Sequence, residues 1–510
     1  MKKVVLKAVV FPLITLLSMT LIGNYTSAAD TPQRGGTLKV IAIRATKALG
    51  APWEVDNWFN IYGHFVMESL VHLDKNGNAI PHLATAFKVA PDGKSITFTI
   101  RKGVKFHDGT DLNAEAVKYS LDRVDAGTIA RNRESVEVID PYTVKLNLKL
   151  YDASIWGDLA VRHGMIASPT AAAKKTTSEN QARDHMVGTG PYKFVNWSRD
   201  QYIKYERFDG YWQKGKPYPD AVEINFIVNP VTSVMAFKSG AGQLIMTVSA
   251  KDSKEMKAQG YEIVSVPYGV KTLTSDGANP DSPWANKKVR EALDHAIDRE
   301  AVAEAIGLGT WKPVYQACPF ENSIGYVKDV EPREYDPAKA KKLLAEAGYP
   351  NGFETKILSK AEENQDLLVA IQTYLAEIGI KAKIELLDRG RYVAMHKDGW
   401  NNGIMYGTIG PRPYTIANNL GILTSKMPYN KPVYLPAGFE ETLDKALATW
   451  DPDVERELTQ KLYRMAYDNA MITPLWVEMQ LGAHTKQIHN SGWCEVISTV
   501  WYPENAWLSK

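Results

Sequence analysis

A chain of 510 residues, 45% hydrophobic and 23% charged, is too long for a single core and is expected to divide into two or three lobes. Its formal charge of +2 is close to neutral, which argues against nucleic acid or anionic lipid as the main partner. The 13 Trp and 25 Tyr exceed what packing usually needs, and amphipathic rings of this kind suit a ligand cleft.

Met1 to Ala29 reads as an export leader: Lys2, Lys3 and Lys7 precede an apolar run over residues 8–23, and Ser27-Ala28-Ala29 supplies small residues for cleavage. The mature chain is expected to begin at Asp30, with the loss of three lysines taking the formal charge to −1. No cysteine lies near the cleavage point and no second long apolar run follows, so a soluble, periplasmic protein without a lipid anchor is expected. Arg34 to Ile43 reads as a first strand, and the long loop from Arg44 to Trp58, with Trp53 and Asp56, as a functional candidate. A helix is expected through Phe65, Val66, Ser69 and Leu70, then a turn at Asn76-Gly77-Asn78.

Local signals agree best between Ile80 and Val124. Pro91-Asp92-Gly93 is a turn, Ile96, Phe98 and Ile100 alternate with polar residues as in a half-buried strand, and Asn113 can cap a helix whose face carries Val117, Leu121 and Val124. Asp140 to Lys149 reads as another strand, Trp156 to Lys174 as mixed helix and loop, and the polar run to Arg183 as a solvated surface. Gly188-Thr189-Gly190-Pro191 is a tight bend lacking the lysine and helix of a phosphate loop. Strands follow at Tyr192–Trp197, Tyr202–Phe208 and Val222–Val228, then a helix stopping at Gly240.

The run Thr272 to Pro283 reads as a flexible polar crossover into a second lobe. There Asn286, Asp298 and Asp336 are placed to cap helices. Phe353 to Leu387 reads as strand, helix, strand, which implies a parallel, right-handed unit, extended by a helix and the strand Gly403 to Tyr406. Open sheets of this type bind ligands at the carboxyl ends of their strands. Helices near Phe439–Ala448 and Asp453–Asn469 follow; the chain then passes Thr473 to Leu481 and returns at Ile488 to Trp507.

Three stretches carry a resemblance. RGGTLKV from Arg34, PDGKSITFTIRKGVKFHDGTDLNAEAVKYSLDR from Pro91, and the run from GTGPYKFVNW to MAFKSG closely resemble the family 5 extracellular solute-binding proteins, the peptide, nickel and opine binding components of ABC importers. That resemblance implies an α/β, two-lobed, hinged periplasmic binding protein of type II, of the large class with an extra subdomain. The implied division is 1–29 leader, 30–76 and 188–276 first lobe, 77–187 extra subdomain, 277–485 second lobe, and 486–510 a return to the first. It also implies that the loop after the first strand faces the cleft. At Gln243 the chain departs from the acidic pair common in the family.

No G-x-S-x-G, S-x-x-K, H-E-x-x-H or C-x-x-C pattern occurs, so no catalytic residue is assigned and no enzyme is expected. The ten histidines are dispersed, and His484 and His489 share no helical face, so neither metal nor cofactor is assigned. Trp400 to Leu420 is the most informative region. Many peptide-binding relatives carry an aspartate-rich turn there, whereas here Gly410-Pro411-Arg412-Pro413-Tyr414 stands in its place and no carboxylate occurs between Asp398 and Glu440. Arg412 is either a solvated charge or a planar fork for carboxylate or phosphate, in which case the solute is anionic or neutral rather than a free amine. The expected ligand contacts are Trp53, Asp56, Trp400, Tyr406, Arg412 and Tyr414, each aromatic being alternatively a core residue. Cys318 and Cys494 fall on opposite lobes, where a disulfide would oppose hinge motion. The expected function is capture of a peptide-like, anionic or sugar-like solute for an ABC permease by a monomer with no nucleic-acid partner. A receptor feeding a sensor or chemotaxis protein, and a secreted hydrolase, are the alternatives.

Overall fold

One eleven-stranded sheet organises the described residues, and its order explains the molecule. The computed structural model describes residues 31–509 except 57–58, 179, 411–418, 421–423, 425–431 and 497–499. The elements below belong to the compact unit Gln33–Lys510. At one end of the sheet, Thr37–Ala42 lies parallel to Ala221–Phe226 and Leu244–Ile245, with Tyr202–Arg207 and Tyr192–Ser198 added antiparallel at the edge. Alternation places Leu38 and Val40 in one core with Tyr62, Phe65 and Trp501, while Ile41 enters another with Phe237 and Met256. Gln243 extends the pairing of the first strand: its Oε1 accepts from the Lys39 N–H at 2.7 Å and its own N–H donates to the Lys39 carbonyl at 2.8 Å. The residue that departs from the family pattern is thus a side-chain continuation of the sheet.

At the other end, Lys381–Leu387, Glu354–Lys360 and Gly403–Ile409 are parallel neighbours in that order. The helix between the first two in sequence, Gln365–Glu377, is capped by Asn364 and buries Leu367, Leu368, Ile371 and Leu375. Asn286, Asp298 and Asp336 cap helices as the sequence reading expects, each accepting a backbone N–H.

Two long antiparallel strands join the halves. Glu262–Ser275 and Thr473–His484 pair with each other along most of their length; near Glu262 and His484 they meet the first half, and from Val270 to Ser275 the former pairs with Gly403–Ile409. Register shifts at Pro267/Gly269 and Lys271/Thr272 interrupt the ladder at mid-length, where a bulge adds twist. This corrects the expected position of the crossover. The chain crosses within the strand, before the polar run Ser275 to Pro283, and that run is built rather than flexible. Asp276 has no exposed surface and accepts from the Asn402 N–H at 2.7 Å, the Gly403 N–H at 3.2 Å and Ser282 Oγ at 3.0 Å.

A separate four-stranded antiparallel sheet, Ala84–Val89, Ser95–Ile100, Thr143–Leu148 and Arg133–Asp140, packs Ile96, Phe98, Ile100 and Leu146 against the helix Ala114–Asp122. Asn113 caps that helix through Ala116 N, and Gly93 closes its turn on the Ala90 carbonyl. The strand expected over Asp140–Lys149 is present as Thr143–Leu148, the second arm of a hairpin whose first arm, Arg133–Asp140, carries too many charges to stand out in the sequence.

The helix expected over Phe65 to Leu70 is also absent; a short helix ends at Gly63. The backbone of that run is taken by other segments: Tyr192 N donates to Phe65 O, Gly190 N to Val66 O and Ile166 N to Glu68 O. Gly190 permits this approach, since a Cβ there would lie 2.7 Å from the Val66 carbonyl carbon. Beside it, buried Glu68 accepts from His82 Nε2 at 2.8 Å, Thr189 Oγ1 at 2.8 Å, Tyr211 Oη at 2.7 Å and Trp212 Nε1 at 2.9 Å. The C-terminal return brings Ile488, Trp493, Trp501 and Ala506 onto the first-strand core. Cys318 and Cys494 are free, buried thiols in two different cores.

Candidate functional site

Strand direction locates the site. In the first half the parallel strands run toward Ala42, Phe226 and Ile245; in the second they run toward Lys360, Leu387 and Ile409. The ladders bring Ile245 opposite Ala483 and Ile409 opposite Val270, so both sets of carboxyl ends converge on the middle of the two crossing strands. Residues 266–271 and 477–480 of the crossing strands form the floor on which those ends converge. In open α/β sheets this edge is where ligands sit, because the connecting loops separate there and leave backbone groups free.

The floor is polar at two points. Gln480 Nε2 donates to the Met246 carbonyl at 3.2 Å and to Thr247 Oγ1 at 3.0 Å, which ties the second crossing strand to the loop after Leu244–Ile245. Nearer the second half, the Lys271 ammonium lies 3.3 Å from both carboxylate oxygens of Glu363 and 3.2 Å from Glu478 Oε2. Its side chain is 6% exposed, whereas Glu363 and Glu478 are 20% and 31% exposed, so the lysine lies beneath and the carboxylates face outward. Burial opposes the ammonium, but Glu478 and then Glu363 more than offset it, and its pKa is held above the usual lysine value. Beneath it, 5.3 Å from Nζ, is the ring of Tyr406.

Of the expected contacts, Tyr406 belongs to this floor, though as a support. It is 1% exposed, packed with Leu273 and Trp476, and offers the lysine a ring face rather than the solute. Trp400 is a core residue: it packs with Leu358, Leu387, Tyr392 and Met405, and its indole N–H donates to the Gly403 carbonyl at 3.0 Å. Of the two roles the sequence leaves open for Trp400, solute contact or core aromatic, this packing matches the second. Trp53 lies in the turn Pro52–Glu54, edge-on to Tyr119 at 6.0 Å with the Arg123 guanidinium over it at 5.8 Å, and so packs toward the helix Ala114–Asp122. Asp56 accepts, at 3.4 Å each, from the Lys47 N–H and Thr46 Oγ1, and holds its own loop in shape. Arg412 and Tyr414 lie outside the described residues.

Lys271, Glu363 and Glu478 were not singled out by sequence reasoning, yet a signal exists. Lys271 is the only charge in the crossing strand after Glu262, and Glu478 is the only carboxylate in the other. A lone charge inside a long, otherwise uncharged stretch of strand marks a place where a buried partner is required.

Residues 78–415 match the model of the bacterial extracellular solute-binding proteins, family 5 middle region, and the chain belongs to that family. With two half-sheets and two crossing strands, it is a type II solute-binding protein of the sort that serves ABC importers. It is 30% identical over 494 residues to the glutathione-binding protein GsiB of Salmonella choleraesuis, across 92% of this chain and 94% of that one. The solved structures that it resembles include two with a bound solute. The periplasmic binding protein DppA of Helicobacter pylori, in complex with the peptide STSA, superposes with a TM-score of 0.72 at 25% identity over 94% of this chain and 99% of its own. AgaA of A. tumefaciens R10, in complex with agropinic acid, does so with a TM-score of 0.72 at 27% identity over 93% and 99%. The family and these relatives are binding proteins.

Proposed function

We propose that this chain is exported by its first 29 residues and, as a periplasmic monomer without a lipid anchor, captures a small peptide-like solute between its two half-sheets. The division into a first lobe, an extra subdomain and a second lobe, at the boundaries the sequence implies but with the first crossing set within Glu262–Ser275, is part of the same reading. The observation that carries it is the convergence of both sets of parallel-strand carboxyl ends on two crossing strands whose ladder is interrupted at mid-length. A solute held there touches both lobes only when they close, so it shifts the open–closed equilibrium by its differential affinity for the closed state. The closed form is then delivered to the permease, and no turnover occurs. Among the solute classes that the sequence admits, peptide-like is favoured because a relative at 30% identity is named for glutathione and another was solved with a peptide.

Thermal shift of the dialysed protein against glutathione, di- to tetrapeptides and opines tests this. A ligand at about a hundred times its Kd adds roughly 2.7 kcal/mol, so at least one member is expected to raise the midpoint by several degrees. A flat panel, together with no small molecule released on denaturing the protein as purified, would remove the reading.

A further inference from the structure

We propose that Glu363 and Glu478, held side by side by Lys271, form the subsite for a cationic group of the solute, an ammonium or guanidinium. This rests on the reading of the interlobe floor as the solute site and assigns one end of that solute.

Charge is the first argument. Two carboxylates meet one ammonium, so the ion pairs among the described residues leave one negative charge over where both half-sheets present their carboxyl ends; Lys360, the next ammonium along the loop, is over the Tyr392 ring instead. If neutralising Lys271 were the whole purpose, one carboxylate would do it, and the second would add only repulsion. Geometry is the second argument. The ammonium is taken up from below, through contacts at 3.2 and 3.3 Å, while the carboxylates keep a share of their surface open above it. An incoming cation can therefore bond Glu363 and Glu478 without displacing the lysine, which fixes the two groups in advance and lowers the ordering cost of binding. Glu363 follows the carboxyl end of Glu354–Lys360, in the loop before the Asn364 cap, whereas Glu478 lies on a crossing strand. A cation bridging them would engage the second lobe and the hinge together. The neighbouring rings serve the protein's own cations, Tyr406 under Lys271 and Tyr392 under the Lys360 ammonium at 5.0 Å, so the carboxylates alone are left to receive a solute cation. An anionic end of the solute would face two carboxylates here and must lie elsewhere in the cleft.

The test starts from the compound that wild-type protein retains from a low-molecular-weight bacterial extract, identified by mass spectrometry after denaturation. It is expected to carry an amine or guanidine. In calorimetry with that compound, Glu363→Gln and Glu478→Gln are each expected to weaken binding at least tenfold, with the unfolding midpoint of the ligand-free protein little changed. Glu363→Asp, which keeps the charge, should recover part of the loss and serves as the second variant should either glutamine fold poorly. A retained compound without a basic nitrogen, or glutamine variants that bind it as tightly as wild type, would overturn the subsite while leaving solute capture intact. Retention of no compound would overturn the capture reading and the subsite with it.

Discussion

Asp276 illustrates how single residues set the second lobe. Its carboxylate is wholly buried and receives two backbone N–H groups and a serine hydroxyl, tying the end of the first crossing strand to the start of Gly403–Ile409. Asp276→Ala strands those donors, and a loss of about 3 kcal/mol is expected in urea unfolding, with Asp276→Asn intermediate. A loss below about 1 kcal/mol would show that water or a shifted loop replaces the carboxylate. Histidines give a pH dependence. Burial depresses His64 to about 3 and His107 to about 4, and takes His72 well below its ordinary value of 6.5. A histidine kept neutral by folding gives stability that is complete above pH 6.5 and declines as protons bind the unfolded chain below it. Each group removes up to about 1.4 kcal/mol per pH unit between 6.5 and its folded value. The urea midpoint should therefore hold from pH 8 to 7 and fall from 6.5 downward; a constant midpoint to pH 5 would contradict this. At this scale the sequence was only partly informative. Asn113, Asn286, Asp298 and Asp336 announce their roles because a cap is a local device, whereas Lys271, Glu363 and Glu478 lie far apart in sequence and gain meaning only once the strands align.

Elements with local causes were legible, and those imposed from a distance were not. Gln365–Glu377 and its flanking strands follow from apolar spacing, an Asn cap and a closing glycine. The run Phe65 to Leu70 has helical spacing too, yet its backbone serves the Gly188–Pro191 bend and the segment around Ile166, so long-range pairing overrides the local period. Gly190→Ala tests that competition. A methyl group 2.7 Å from a backbone carbon must push the bend off Val66, and a cost of roughly 1–3 kcal/mol is expected in thermal or urea unfolding. No measurable cost would mean that this contact is loose and that something else excludes the helix. The crossing strands themselves were the largest omission. Glu262–Ser275 mixes apolar, polar and glycine-proline character, because one part lies beside the first half-sheet, one part over the floor and one part in the second half-sheet, and no single period describes it.

For the whole molecule, the two-lobed design was legible from family resemblance and from the change of pattern near residue 280, while the place of the hinge was not. Cys318 and Cys494 leave the halves free of a covalent link, and the ladder between the crossing strands is broken where bending would be concentrated. Solute capture then depends on a small free-energy difference between open and closed forms, to which contacts with both halves contribute only in the closed one. Small-angle X-ray scattering of dialysed protein, titrated with the compound that denaturation releases, tests this most directly. The radius of gyration is predicted to fall and to reach its limit at the concentration that saturates binding in calorimetry. Saturated binding with an unchanged radius would contradict closure of the two halves around the solute.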